Sequence, residues 1–120
     1  MKNKYKILVT GVAGFLGSHL AEQLSNLGHE VIGIDSMIGG YKDNIPKDIQ
    51  FYNINCCDFK KIKNIMSGVE IVYHCAATAH EGLSVFSPYE ITKNNYLASV
   101  SIFSAAINHK VKRIIFCSSM

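Results

Sequence analysis

Short apolar runs alternate along this chain with longer segments in which apolar residues recur at helical spacing. The short runs predict five strands, near residues 6–10, 31–35, 49–53, 69–74 and 113–118. After the first run, four leucines recur at intervals of three or four residues, and Gly28 marks the end of that predicted helix. Strands that alternate with helices favour a parallel sheet. We therefore predict an α/β fold, a doubly wound parallel sheet of about five strands.

Another helix is predicted from Pro88 to about His109. Ser87 is suited to cap it, and Glu90 to complete a capping box with Ser87. Its apolar residues cover more than one face: Ile91, Leu97, Val100, Ile102, Phe103, Ala105, Ala106 and Ile107. A helix this apolar needs a second surface to pack on. The rest of the fold is the favoured source of that surface, and a partner subunit in a homodimer is the alternative.

Three glycines, each three residues after the last, join the first strand to the first helix. Gly11 can adopt a backbone conformation closed to residues with a Cβ, and Gly14 lets the main chain approach a pyrophosphate. Gly17 lets the helix lie close to its strand. The N-terminus of the helix then presents unpaired N–H groups and the positive end of its dipole. This pattern predicts a dinucleotide-binding turn.

An acidic residue at the end of the second strand supports that interpretation. Asp35 lies 24 residues beyond Gly11, where this fold places a carboxylate that accepts hydrogen bonds from the adenosine ribose. No Arg or Lys follows until Lys42, so a 2′-phosphate would meet an anion without a compensating cation. The expected cofactor is therefore NAD rather than NADP.

Composition and charge narrow the class of protein. With 120 residues, 48% hydrophobic and 18% charged, the chain forms one domain with a core, residues 1–120. A net charge of +3 from scattered basic residues predicts no nucleic-acid partner. No apolar run has the length of a secretory signal or a membrane span, which predicts a cytoplasmic protein. The four cysteines lack Cys-x-x-Cys spacing, so we expect buried, reduced thiols and no metal.

Five motifs, taken in order, resemble the extended short-chain dehydrogenase/reductases, in the branch of NAD-dependent sugar-nucleotide epimerases and dehydratases. They are residues 10–19, Asp35, Asp58, residues 74–77 and residues 116–119. The resemblance covers the whole chain and corresponds to about the first third of a family member. We therefore expect further strands, and the substrate domain, to be absent from these 120 residues.

The resemblance implies a role for each matching position in binding NAD. Phe15 and Leu16 would line the pyrophosphate turn, and Asp35 with Ser36 would bind the ribose. Asp58 and Phe59 would contact the adenine, although capping of the next helix by Asp58 is an equal alternative. Cys75, Ala76 and Ala77 would border the nicotinamide half of the cofactor, and Ser118 would lie beside the nicotinamide ribose. Asn94 or Asn95 would be the family's cofactor-contacting asparagine.

The resemblance also implies hydride transfer between a carbon of a nucleotide sugar and the nicotinamide. Ser119 matches the serine that hydrogen-bonds the substrate hydroxyl, whereas the family's Tyr-x-x-x-Lys pair follows that serine. Tyr89 and Lys93 have this spacing but precede Ser119 by about thirty residues, so we predict that they are not the catalytic pair. The chain alone is then expected to be inactive. A non-catalytic NAD-binding module for sensing or regulation is the alternative function, and His74 is predicted to be a core residue rather than a catalyst.

Overall fold

The computed structural model describes residues 4–77 and 86–117. Within these ranges, one sheet contains β1 (Lys6–Thr10), β2 (Glu30–Asp35), β3 (Gln50–Asn53), β4 (Ile71–His74) and β5 (Arg113–Phe116). Neighbouring strands run parallel in the order β3-β2-β1-β4-β5. Each predicted strand is confirmed within two residues of its expected bounds. The chain moves from β1 to one side of the sheet and later returns to the other side, beside β1.

The described helices connect these strands: α1 (Phe15–Asn26), α2 (Phe59–Ile65), α3 (Pro88–Thr92) and α4 (Ala98–Asn108). A π-helical turn, Lys93–Leu97, joins α3 directly to α4. The predicted helix over residues 88–109 is therefore present, but it widens near its middle, where the hydrogen bonds span five residues instead of four. A short 3₁₀ turn, Lys42–Asn44, lies between β2 and β3.

Side chains that alternate along the strands form two apolar layers, one on each face of the sheet. The first layer includes residues of β1, β2 and α1: Ile7, Val9, Val12, Ala21, Leu24 and Val31. The second layer brings α2 and α4 onto the opposite face, and its members include Leu8, Ile32, Ile62, Val72, Ile102 and Ala105. Helices cover both faces, so the predicted doubly wound arrangement is confirmed.

The packed face of α1 agrees only in part with the one that the leucine spacing predicts. Leu24 is buried and Leu20 packs against the first layer, but Leu16 and Leu27 are 54% and 64% exposed. The other buried positions of α1 are Gly17, Ser18 and Ala21. Small side chains let this helix lie close to the sheet, and the larger leucines on either side of the contact face solvent.

The second long helix also departs from its prediction at two points. Pro88 begins α3 as expected, but the Ser87 side chain makes no capping hydrogen bond, so the predicted capping box with Glu90 is wrong. The buried residues of α4 are Ala98, Ser101, Ile102, Ala105 and Ala106. Val100 and Ile107 remain 40% and 74% exposed. Packing within the described residues therefore covers only one side of this apolar helix.

No helix in residues 4–77 or 86–117 has both the length and the apolar character needed to cross a membrane. In the same ranges, His, Cys, Asp and Glu side chains form no group of three or more that would suit a metal ion. The four cysteines are free thiols. Cys56 is buried, and Cys57 and Cys75 are half-buried, but Cys117 is exposed. The expectation of buried thiols is therefore wrong for Cys117.

Candidate functional site

The turn after β1 is tied to β2 by its own backbone. Gly11 and Val12 both donate their N–H groups to the carbonyl oxygen of Ile34, at 2.9 and 3.2 Å. Gly11 has a φ of 70°, in the left-handed region that favours glycine. A Cβ on Gly17 would lie 2.2 Å from the carbonyl oxygen of Gly11, so α1 approaches the turn as closely as its backbone permits. The conformational roles predicted for Gly11 and Gly17 are both confirmed.

The N-terminus of α1 opens onto this turn without a side-chain cap. Gly14 is the N-cap residue, its backbone is extended, and the first turn of the helix contains no acidic residue. The first backbone N–H groups of a helix have no partners within the helix. The positive end of the α1 dipole is therefore not neutralised from within the helix, which suits an anionic ligand.

The carboxylate of Asp35 joins the glycine turn to the loop after β2. One oxygen accepts a hydrogen bond from the N–H of Ala13 at 2.9 Å, and the other accepts from the N–H of Met37 at 2.7 Å. Two backbone donors thus fix the orientation of a half-buried anion at the carboxyl end of β2. This is the location that the sequence predicts for a ribose-binding carboxylate.

The loop after β2 folds back over the glycine turn. Tyr41 donates its backbone N–H to the carbonyl oxygen of Ala13 at 3.2 Å, and the Asn44 side-chain amide donates to the same oxygen at 3.1 Å. Gly40 packs against Ala13 so closely that a Cβ on Gly40 would lie 2.8 Å from the Ala13 side chain. This loop forms a wall that the sequence interpretation did not include.

A buried hydrogen-bond network orders the carboxyl end of β4. The Thr10 hydroxyl accepts hydrogen bonds from the N–H groups of Cys75 and Ala76, both at 3.0 Å. Its own proton is then available to His74 Nδ1, 2.7 Å away. His74 Nε2 lies 3.0 Å from Ser99 Oγ, and Ser99 donates to the carbonyl oxygen of Asn95 at 2.7 Å. These directions assign the His74 ring proton to Nε2.

His74 is a core residue in this network, as predicted. It is 1% exposed, and its ring packs against the rings of Phe103 and Phe116 at centroid distances of 6.0 and 5.9 Å. Burial lowers the pKa of His74 from 6.5 to about 4, so the ring is neutral near pH 7. A neutral ring that is hydrogen-bonded on both nitrogens is suited to holding β1, β4 and the π-helical turn together.

These elements surround a crevice of about 150 Å³ at the carboxyl ends of the strands. Eight of the predicted site residues line it: Gly11, Gly14, Asp35, Ser36, Cys75, Ala76, Ala77 and Asn94. The sequence interpretation missed six lining residues: Ile38, Gly39, Gly40, Asn55, Cys56 and Ala98. The Gly39-Gly40 pair is a turn signal close to Asp35, and Asn55 follows the end of β3, so both carried a usable signal.

Other predicted residues lie outside the lining of this crevice. Phe15 and Leu16 are exposed at the start of α1, and Gly17 is buried against the turn. Asp58 caps α2 by accepting a hydrogen bond from the N–H of Lys61 at 3.3 Å. Phe59 is exposed. The sequence left two roles open for Asp58, helix capping and contact with the adenine, and in the structure Asp58 caps α2.

Three further predictions concern the end of the chain and residues 88–108. Asn94 lines the crevice whereas Asn95 does not. Tyr89 is exposed at the start of α3, and neither Tyr89 nor Lys93 lines the crevice. Both predicted serines, Ser118 and Ser119, lie outside the described residues.

Crevices of this kind, beside the central strand where the chain changes sides of a parallel sheet, define the dinucleotide-binding domains of the Rossmann type. The chain has a fold of this class. Residues 7–120 match the model of the NAD dependent epimerase/dehydratase family, and the chain belongs to this family. The resemblance found in the sequence and the prediction of NAD as the cofactor are thereby confirmed.

Relatives and solved structures agree with this assignment. A UDP-N-acetyl-alpha-D-glucosaminuronate decarboxylase of Bacillus cytotoxicus is 31% identical, over 97% of this chain and 37% of the relative. The UDP-glucose 4-epimerase of Thermotoga maritima, solved with UDP-glucose, has a TM-score of 0.93 and 34% identity, covering 95% of this chain and 38% of that one. A Thermus thermophilus UDP-glucose 4-epimerase, solved as a complex with NAD, has a TM-score of 0.88 and 30% identity, covering 95% and 37%. The chain spans between 17% and 37% of the length of curated relatives such as these.

Proposed function

We propose that residues 1–120 are the NAD-binding domain of an enzyme that acts on a sugar nucleotide. The observation that carries this proposal is the arrangement around Asp35. Its carboxylate is held by the N–H groups of Ala13 and Met37, next to the uncapped N-terminus of α1. An anion-binding helix end beside a fixed carboxylate matches the two chemistries of a dinucleotide, a diphosphate and a ribose diol.

The residues at one end of the crevice have the chemistry that a diphosphate and an adenosine require, which supports the proposal. Gly11 and Gly14 line the crevice and have no side chains to fill it. Phe15 and Leu16 are the first two residues of α1, so their backbone N–H groups lie at its N-terminus. These groups would bind the pyrophosphate, which is how Phe15 and Leu16 would act although their side chains are exposed. Asp35 and Ser36 would bind the ribose. Asn55 and Cys56 would border the adenine, while Asp58 and Phe59 follow within the same loop and the start of α2.

The opposite end of the crevice would hold the nicotinamide. Cys75, Ala76 and Ala77 follow β4, and Asn94 reaches the crevice from the π-helical turn. The resemblance assigns Ser118 to the nicotinamide ribose. When bound, NAD supplies a reversible hydride acceptor. The residues of this chain would position the nicotinamide by lining the crevice, and the Thr10 hydroxyl fixes the backbone there by accepting the N–H groups of Cys75 and Ala76.

The proposed reaction is hydride transfer at a sugar carbon, in an epimerase, a dehydratase or a decarboxylase. The substrates named for relatives include UDP-glucose, which supports a nucleotide sugar as the substrate class. Ser119 would hydrogen-bond the substrate hydroxyl in this scheme. Cytoplasmic localisation is part of the proposal, because a reducing compartment keeps the four thiols unpaired.

A homodimer is also proposed, through the helical segment 88–108. Tyr96, Val100 and Ile107 are exposed and recur at intervals of four and seven residues from the end of the π-helical turn along α4, so they form one stripe on this part of the segment. Light scattering should give a dimer mass, and Ile107→Glu should lower it to that of a monomer. Lys63→Glu on α2 is the control and should keep the dimer. A wild-type monomer at high concentration would contradict this part of the proposal.

Titration calorimetry with NAD and NADP tests the cofactor proposal. Wild type should bind NAD at least tenfold more tightly than NADP, a difference of about 1.4 kcal/mol. Asp35→Asn keeps the side-chain shape but removes its charge, so NAD should bind more weakly and the preference over NADP should shrink. Asp48→Asn, an exposed position outside the crevice, is the control and should behave as wild type. Absence of saturable heat with NAD, from a chain folded by circular dichroism, would refute the proposal.

A further inference from the structure

Two cysteines lie side by side at the ends of neighbouring strands. His74 of β4 is paired with Phe116 of β5, and the N–H of Cys117 donates to the carbonyl oxygen of His74 at 3.3 Å. Cys75 and Cys117 are the next residues on the two strands. Their sulfur atoms are 3.5 Å apart, close enough for an S–H···S hydrogen bond. A disulfide bond requires about 2.05 Å between the sulfur atoms, so the two sulfur atoms must move about 1.5 Å closer to form one.

The two sulfur atoms differ in their surroundings. Cys117 is exposed to solvent, so it is the sulfur that a dissolved molecule reaches first. Cys75 is half-buried and lines the crevice. Burial and then the contact with Cys117 raise the pKa of Cys75 to about 12. Cys75 is therefore protonated in the reduced pair, and the contribution that comes from the neighbouring thiol ends once Cys117 has reacted.

We propose that Cys75 and Cys117 form a dithiol site that low-molecular-weight disulfides oxidise to an intramolecular disulfide bond at the edge of the cofactor crevice. The Cys117 thiolate attacks one sulfur of the oxidant R–S–S–R, which forms a Cys117–S–S–R mixed disulfide and releases one RS⁻. Cys75 then loses its proton to solvent or to the released thiolate. Its sulfur attacks the Cys117 sulfur, which forms the Cys75–Cys117 bond and releases a second RS⁻. Two protein thiols are oxidised, and one small disulfide is reduced to two thiols.

The other two cysteines lack this arrangement. Cys56 is buried, and burial is the first cause that raises its pKa to about 12. Cys57 donates its S–H to the carbonyl oxygen of Lys93 at 3.1 Å. Neither is both exposed and adjacent to a second, accessible thiol. They are therefore matched internal controls, with the same side chain in the same fold.

Thiol counting on the complete chain tests the proposal without any cofactor. The reduced protein is incubated with glutathione disulfide, remaining thiols are blocked with N-ethylmaleimide, and intact mass and peptide mapping identify the products. Wild type should lose two of its four alkylatable thiols, and mapping should link Cys75 to Cys117. Cys56→Ser and Cys57→Ser should give the same link. Cys75→Ser should stop at glutathione on Cys117, and Cys117→Ser should lose the link and retain Cys75 as a free thiol.

The outcomes separate this inference from the proposed function. A wild-type product with glutathione on Cys117 and no Cys75–Cys117 link would overturn the inference, as would a predominant link through Cys56 or Cys57. The same reaction in urea gives the pairing of an unfolded chain. If native and unfolded chains yield the same mixture, the fold does not direct the pairing and the inference fails. The NAD titration is read independently, so either experiment is able to fail without the other.

Discussion

Two glycines with a positive φ form a matched pair. Substituting alanine at each of them separates the cost of the backbone conformation from the cost of the close approach at the glycine turn. Gly11 and Gly28 have φ values of 70° and 95°. An alanine at either position must adopt the left-handed conformation, at a cost of about 1–2 kcal/mol. At Gly28 nothing lies within 4 Å of an added Cβ, but at Gly11 the Cβ would lie 2.9 Å from the Cα and N of Ala76. Ordinary contacts begin at 3.4 Å, so the turn and the end of β4 must separate by about 0.5 Å.

Overpacking of this kind costs about 1–3 kcal/mol, so Gly11→Ala should be less stable than Gly28→Ala by roughly 2 kcal/mol. Urea m-values of about 1–3 kcal/mol per molar convert this difference to a midpoint lower by roughly 1 M. The chain has no tryptophan, so far-UV circular dichroism is the suitable probe. Gly11→Ala should also weaken NAD binding, and Gly28→Ala should not. Equal urea midpoints for the two variants would refute the argument that the backbone of β4 obstructs the Cβ.

Three further predictions follow from the buried network and the helical turn. The pKa of His74, lowered by burial from 6.5 to about 4, predicts a contribution to the unfolding free energy that is complete above about pH 6.5. It is lost as the pH falls towards 4, by up to about 3 kcal/mol; urea unfolding of His74→Gln should show a flatter pH dependence than that of wild type, whereas Asn64→Gln, an exposed position on α2, should keep the wild-type dependence. Thr10→Val leaves two buried N–H groups without their acceptor and should cost at least about 2 kcal/mol in urea unfolding, whereas Thr10→Ser should cost less than half as much. Asn94→Ala should weaken NAD binding in calorimetry more than Asn95→Ala, and equal effects would contradict the assignment of Asn94 to the crevice.

The sequence predicted those parts of the fold that depend on local pattern. The strands were located from short apolar runs, and α1 from its leucines and the stop at Gly28. The face on which α1 packs was predicted only in part: Leu20 and Leu24 pack as expected, but the closest helix-to-sheet contact is made by small residues such as Ala21. A prediction from hydrophobic periodicity relies on large side chains. In α1, two of the large side chains, Leu16 and Leu27, are exposed at the ends of the helix.

The candidate site was predictable where a residue has an unusual backbone or charge requirement. Gly11 and Asp35 meet this condition, since one needs a positive φ and the other is an acid at the end of a buried strand. The wall formed by Ile38, Gly39 and Gly40 was missed, because the glycine pair signals a turn but does not show that this turn packs on Ala13, a contact made through hydrogen bonds from the loop and close backbone approach. Backbone contacts between segments thirty residues apart leave little trace in the pattern of side chains.

The choice between Asn94 and Asn95 depends on the π-helical turn, whose five residues have no composition that distinguishes them from an ordinary helix. The turn is accompanied by hydrogen bonds from other side chains. Cys57 donates to the carbonyl oxygen of Lys93, and Ser99 donates to that of Asn95. Both carbonyl groups also accept the backbone N–H of Ala98, so the side-chain bonds add to the helical ones where the regular pattern changes. Ser99 is in turn bonded to His74, and His74 to Thr10 beside the glycine turn. The position of Asn94 in the crevice is therefore set by contacts with β1, β4 and the loop before α2, which is why local sequence could not distinguish the two asparagines.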